Sequence, residues 1–225
     1  MPRLARVVIP DHPYHITQRG NGRQIVFQDD EDRLQYLFWI NTYSSKYHLS
    51  LLAYCLMDNH VHFIAVPRRE DSLAKTFSVA HMRYAQNFNK KRKGSGHLWQ
   101  GRFYSCILDE PYLMAAVRYI ERNPVRAKMV EKPWEWKWSS AAAHIGQGDG
   151  KIRLERLNFL TDISVQEWKQ FIDSEEVEEE LKVIRQHTMT GHPLGTVPFV
   201  TRISQILGRT LRALPRGRPK KETVK

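Results

Sequence analysis

Within Asp58-Asn59-His60-Val61-His62-Phe63-Ile64 two histidines are separated by a single residue. On a strand, residues i and i+2 point to the same face, so both imidazoles would project side by side while Val61 turns to the core. That spacing suits two nitrogen ligands on one metal ion, although two histidines on the wet face of a strand also have an innocent reading. A third ligand or an attacking group has to come from elsewhere. Around residues 110–123, Leu113, Ala116, Val117 and Ile120 recur as the apolar stripe of a helix, whereas Tyr112, Ala115, Tyr119 and Asn123 lie on another face. Tyr119 is therefore not required as core, and Asn123, four residues on, shares its side. A phenol and an amide oxygen could then approach one point. The competing reading is a half-buried surface tyrosine and a capping asparagine stopped by Pro124.

The elements that must position these residues can be read along the chain. Tyr14 to Arg19 alternates as a strand and runs into the turn signal Gly20-Asn21-Gly22. Leu34, Leu37, Phe38, Ile40 and Tyr43 recur at helical spacing, which predicts a helix over 30–47 with Asp29 or Asp30 as N-cap. Leu49 to Met57 and His60 to Val66 form two strand-like runs around Asp58-Asn59, a hairpin pattern. Leu73, Phe77, Ala80, Tyr84 and Phe88 define a second helix that assigns Tyr84 to packing. Phe103 to Leu108 reads as a strand, Asp109 caps a third helix with Pro111 in its first turn, and Asn123-Pro124 is expected to end it. The order strand, helix, hairpin, helix, strand, helix predicts an α+β fold: an antiparallel sheet with packed helices, of ferredoxin-like type. Beyond residue 145 the pattern favours helices, over 164–187 and 197–208.

Composition bounds the partners. The chain has 225 residues with 35 Lys+Arg against 24 Asp+Glu, a net charge of +11, and 41% hydrophobic residues. That is too apolar for a disordered chain and basic enough to favour a polyanion, of which nucleic acid is the commonest for such a protein. No window approaches the roughly 20 apolar residues of a membrane span, and Met1 to Arg6 leads into polar sequence without a secretory stretch, so no membrane and a cytoplasmic location are expected. Cys55 and Cys106 are too few for a disulfide framework or a CxxC zinc site. Residues 201–225 hold eight basic residues against one acid, net +7. The acidic run Asp173 to Glu180 reads as a solvated helix face that could also shield this tail. Gly146 to Gly150 is the candidate linker, which divides the chain into 1–145, a helical accessory region 146–210 and a basic tail 211–225.

Three motifs in order, His60-Val61-His62, then Gly96-His97-Leu98-Trp99-Gln100-Gly101-Arg102-Phe103-Tyr104, then Tyr119-Ile120-Glu121-Arg122-Asn123-Pro124-Val125-Arg126-Ala127, resemble the REP-associated tyrosine transposases of the HUH single-stranded nuclease superfamily. The resemblance covers roughly residues 5–145 and extends through Trp136-Lys137-Trp138-Ser139-Ser140. It implies His60 and His62 as metal ligands, Tyr119 as nucleophile, and Asn123 as third ligand where related insertion-sequence enzymes use a glutamine one methylene longer. Magnesium or manganese is the implied ion, although by softness alone a two-histidine site equally accepts zinc. The implied activity is a DNA endonuclease and strand transferase acting on single-stranded or hairpin repeat DNA through a 5′-phosphotyrosine link, as monomer or homodimer. Lys90, Lys91, Arg92, Lys93, Arg102, Arg118, Arg122 and Arg126 surround the motifs and are expected to meet phosphates. Trp99, Phe103 and Tyr104 could stack on unpaired bases or pack in the core. Arg216 and Arg218, in Pro215-Arg216-Gly217-Arg218-Pro219, resemble the core of an AT-hook that enters A·T minor grooves. Two rival classes stay open: a non-catalytic DNA-binding regulator derived from a transposase, and a hydrolase of small phosphates.

Overall fold

The computed structural model describes residues 8–157, 163–208 and 210–211. Strand β1 (Tyr14–Arg19) alternates as its sequence requires, with Tyr14 and Ile16 turned into one core and His15 and Thr17 to the opposite face. Helix α1 (Asp30–Lys46) starts at Asp29, whose carboxylate accepts from the Asp32 N–H, and three acids in its first turn suit the positive end of the helix dipole. Strands β2 (Leu49–Met57) and β3 (His60–Pro67) form the hairpin. Helix α2 (Ser72–Lys91), strand β4 (Tyr104–Ile107) and helix α3 (Glu110–Glu121) follow, the last capped by Asp109 with Pro111 in its first turn. The sheet order is β2-β3-β1-β4 with every pair antiparallel, the ferredoxin-like arrangement. Its register sets Arg19 opposite His60 and Thr17 opposite His62.

Each face of the sheet has its own core. On one side Tyr14, Ile16, Tyr54, Val61 and Phe63 pack against α1 and α2 through Tyr36, Leu37, Phe77 and Tyr84. On the other, Ala53, Cys55, Ile64 and Cys106 are covered by Ala116, Val117 and Ile120 of α3 and by the C-terminal helices α6 (Val165–Asp173) and α7 (Glu178–Thr190). Trp168 and Ile172 of α6 and Leu181 and Ile184 of α7 belong to this second core. Burying such side chains stabilises by roughly 1.5–3 kcal/mol each, which ties the C-terminal helices to the sheet. Three short or peripheral helices complete the fold: α4 (Asn123–Arg126), α5 (Ala141–His144) and α8 (Val197–Ile206). Among the described residues no helix is long and apolar enough to cross a membrane.

Two expectations are corrected. The helix anticipated over 164–187 is two helices, because Ser174 leaves α6 in extended backbone (φ −65°, ψ 153°) and Val177 re-enters from an extended conformation. The acidic run is accordingly not one solvated face: Glu178, Glu179 and Glu180 are exposed in the first turn of α7, while Glu176, in the break, turns inward. The third helix does end just before Asn123-Pro124, as expected. After α3 stops at Glu121 the chain takes one more turn as α4, in whose first turn the missing proline N–H is not needed.

One buried ion pair locks α3 to the segment after α4. The Glu121 side chain is fully buried and its Oε1 accepts from Ser140 Oγ and from His144 Nδ1, both at 2.6 Å. His144 Nε2 lies 3.0 Å from the Leu52 carbonyl oxygen, so both ring nitrogens face acceptors and the imidazolium form satisfies both. Burial by itself would lower the His144 pKa, but Glu121 and the Leu52 carbonyl outweigh it and raise it above the ordinary value. Folding therefore takes up a proton here. The stabilisation is complete below the unfolded imidazole's range and is lost as pH rises through the higher folded value. The melting-temperature gap between wild type and His144→Gln is expected to shrink as pH is raised from 6 to 9, measured by circular dichroism. A gap that widens with pH would contradict the pairing.

Candidate active site

Because β3 is a regular strand, His60 and His62 do share one face, with ring centroids 5.1 Å apart. Tyr119 arrives from α3, its ring edge-on to His62 at 5.7 Å and to His15 of β1 at 5.6 Å. Asn123 arrives from α4, its Nδ2 3.3 Å from His60 Nε2. All four sequence-derived residues line one cleft of about 360 Å³, together with His15, Thr17, Gln18, Arg19, Gln100, Tyr104 and, from α7, Arg185, Thr188 and Met189.

The hydrogen bonds at the back of the imidazoles define which nitrogen faces the cleft. Asn59 donates its Nδ2 to the Arg23 carbonyl at 3.2 Å, so its Oδ1 accepts from His60 Nδ1 at 2.7 Å. His60 Nε2 then carries the lone pair, to which Asn123 donates. His62 Nδ1 lies 2.8 Å from His15 Nε2, and His15 Nδ1 lies 2.7 Å from Thr188 Oγ1. Burial, aided by Arg126, pushes His15 down to about 3. Burial, then Arg19 and Arg126, pushes His60 down to about 3. Burial, then the neighbouring histidines and the two arginines, holds His62 well below its ordinary value. All three are neutral near pH 7. A neutral His15 that donates to Thr188 must accept from His62 Nδ1, which leaves the His62 Nε2 lone pair for the cleft.

This donor set could hold a divalent cation. Two imidazole lone pairs face one cleft, and a half-turn of the Asn123 amide would present Oδ1 where Nδ2 now meets His60. Among the described residues no group of three or more His, Cys, Asp or Glu could hold a metal, so an ion at this site would have the mixed set of two imidazoles and an amide.

Tyr119, which its spacing leaves off the apolar stripe of α3 and so not required as core, is nevertheless only 7% exposed and belongs to the second core. Spacing along α3 cannot reveal what roofs its polar side. That roof is Arg126, whose guanidinium carbon sits 4.4 Å from the ring centroid. Arg126 in turn is held by Glu176 Oε1 and Oε2 at 2.6 and 2.8 Å, and Arg122 Nε lies 3.1 Å from the same carboxylate.

The residues expected to meet DNA divide accordingly. Arg122 and Arg126 are turned inward to Glu176, and Arg118 lies over Phe171 at 5.0 Å and donates to the Ser174 and Glu175 carbonyls. Lys91 is engaged by Asp29, Glu31 and Asp32, and Arg92 by Asp32, so the acids that open α1 neutralise the middle of the basic cluster. Lys90, Lys93 and Arg102 are exposed. Trp99 is core, its Nε1 donating to the His81 carbonyl at 3.1 Å, and Phe103 packs on Phe77; the sheet-and-helix core claims their apolar area first. Tyr104 alone of the three aromatics lines the cleft. Arg216 and Arg218 lie outside the described residues.

Sequence reasoning missed His15, Arg19 and the α7 residues. Alternation in Tyr14-His15-Ile16-Thr17 does put His15 on the polar face of β1 and could have flagged it. No local signal marks Thr188 or Glu176.

Residues 9–123 match the family model described as "Transposase IS200 like". No curated protein matches the chain. Among solved structures, a REP-associated tyrosine transposase bound to a REP hairpin matches with a TM-score of 0.53 at 18% identity, covering 79% of this chain and 99% of that one. A candidate transposase from Deinococcus radiodurans R1 matches with a TM-score of 0.37 at 16% identity, covering 57% and 92% respectively. The tRNA(His) guanylyltransferase of Saccharomyces cerevisiae matches with a TM-score of 0.40 at 14% identity, covering 84% and 82%.

Proposed function

This chain belongs to the family of IS200-like transposases, and on that premise we propose that it is a metal-dependent DNA endonuclease and strand transferase that cuts single-stranded or hairpin repeat DNA. The observation that carries the reading is the meeting of Tyr119 with His60, His62 and Asn123 at one cleft. His60 and His62 would hold the ion through Nε2, with Asn123 as the third ligand; magnesium or manganese is the proposed ion. When bound, such an ion neutralises phosphate oxygens and helps fix an in-line approach.

The chain's own residues account for the rest. A phenol with an ordinary pKa near 10 is a weak nucleophile at neutral pH. Arg126, seated over the Tyr119 ring, holds it in place at the cleft. The Tyr119 oxygen bonds to phosphorus, the bond from phosphorus to the 3′ oxygen breaks, and the phenolic proton is balanced by the one the leaving 3′-hydroxyl acquires. The product is a 5′-phosphotyrosine with a free 3′ end, which can reverse the step and so transfer the strand. Arg19 and Arg185 at the cleft can contact the phosphate backbone and Tyr104 can stack on a base.

The full chain incubated with a 3′-labelled hairpin oligonucleotide and Mn²⁺ is expected to yield a labelled adduct that survives SDS, absent when EDTA is added. DNA binding that ignores chelation, with no adduct on any hairpin or single strand, would instead identify a non-catalytic regulator.

A further inference from the structure

We propose that the segment joining α6 to α7, and α7 itself, are integral parts of the catalytic centre, with Glu176 and Thr188 as positioning residues for Tyr119 and His62; this rests on the reading of those two as nucleophile and metal ligand. Both positioning residues lie beyond the segment that matches the family, which ends at residue 123. The expected boundary at 145 therefore does not separate a catalytic unit from an accessory one.

The first arm runs through β1. Thr188 gives its hydroxyl hydrogen to the Ile184 carbonyl at 2.7 Å, because a carbonyl can only accept. Toward His15 Nδ1, 2.7 Å away, Thr188 Oγ1 is therefore the acceptor, and the hydrogen resides on His15 Nδ1. For His62 to offer Nε2 to an ion its Nδ1 must hold the hydrogen and donate to His15 Nε2, 2.8 Å away, and a His15 whose hydrogen is committed at Nδ1 provides that acceptor. The orientation set by one hydroxyl on α7 is thus passed across two rings and emerges as a lone pair on His62 Nε2. Thr188 and His15 are 2% and 1% exposed, so water does not substitute for either partner. Metal-bound histidines generally depend on such partners for tautomer and orientation.

The second arm runs through α4. Glu176 grips Arg126 with both carboxylate oxygens and meets Arg122, which also donates to the Ile172 carbonyl at 2.8 Å. Arg126 is thereby held over the Tyr119 ring. Two independent contacts from one C-terminal unit end on the two chemically distinct halves of the site. A merely structural clamp would be served as well by apolar packing, since buried polar pairs add little net stability over it.

The arms have separable readouts. Thr188→Val is expected to weaken Mn²⁺ binding to the DNA-free protein by roughly 10- to 100-fold in calorimetry, and Thr188→Ser to restore it. Glu176→Gln is expected to leave Mn²⁺ affinity unchanged while lowering kcat for adduct formation by roughly 10- to 100-fold at constant KM, as a nucleophile held less well would. In the metal-free wild type, two-bond ¹H–¹⁵N histidine spectra should show His15 and His62 both protonated at Nδ1, a measurement independent of how any variant folds. A His62 Nε2–H tautomer there overturns the first arm, and wild-type kcat in Glu176→Gln overturns the second. A wild type that neither binds Mn²⁺ nor forms the adduct is a different failure, that of the underlying functional reading.

Discussion

Tyr119→Phe is expected to abolish the SDS-stable adduct while hairpin binding changes by less than about twofold. The substitution removes one oxygen and leaves the ring, so the edge-on contacts with His62 and His15 and the cover provided by Arg126 persist. Loss of a covalent nucleophile forfeits the step itself rather than a fraction of its rate, because the ester forms on the phenolic oxygen that the substitution removes. Gel-shift titration and the adduct assay, run on the same preparation, separate the two effects. Adduct formed at the wild-type level would remove Tyr119 from the role and would direct the search to another tyrosine at the cleft, Tyr104.

The second large effect is expected at His60. His60→Ala should lower Mn²⁺-dependent cleavage by roughly 10²- to 10⁴-fold, the kinetic equivalent of the several kcal/mol of charge stabilisation that a bound divalent ion supplies. His60 is a better test than His62. It is only partly buried, and its loss frees the Asn59 and Asn123 amides at a cleft open to water, so folding should be little affected. Removing His62 would instead strand the fully packed His15 Nε2 without its donor, which costs about 1–3 kcal/mol and confuses stability with activity. Cleavage by His60→Ala that equals wild type in Mn²⁺ and remains sensitive to EDTA would place the ion elsewhere. Cleavage by the wild type that persists in EDTA would dispense with the ion altogether.

The two predictions test different links. The first concerns the covalent step, the second the electrostatics around it. In both, DNA binding should survive, because neither substitution removes any of the cations proposed to meet the backbone, Arg19 and Arg185 at the cleft and the exposed Lys90, Lys93 and Arg102.

Periodicity determined much of this protein without help from its tertiary structure. A two-residue repeat puts His60 and His62 on one face and Val61 in the core, a four-residue step puts Tyr119 and Asn123 on one side of a helical path, and the order of elements dictates a ferredoxin-like sheet. These are local consequences of backbone geometry, so each holds wherever the element forms. What lies opposite each face is not local. Thr188 meets His15 across 173 residues and Glu176 meets Arg126 across 50, and no spacing rule reaches so far. For the same reason composition could count the positive charges of Lys91, Arg92, Arg122 and Arg126 but could not tell that acids distant in sequence would claim them. Trp99 went to the core instead of the surface because burial of its large apolar area competes with any exposed role, and only packing decides that competition. Chemistry-bearing residue types were thus visible in the chain. Their protonation, cover and partners arose where three segments converge on the sheet.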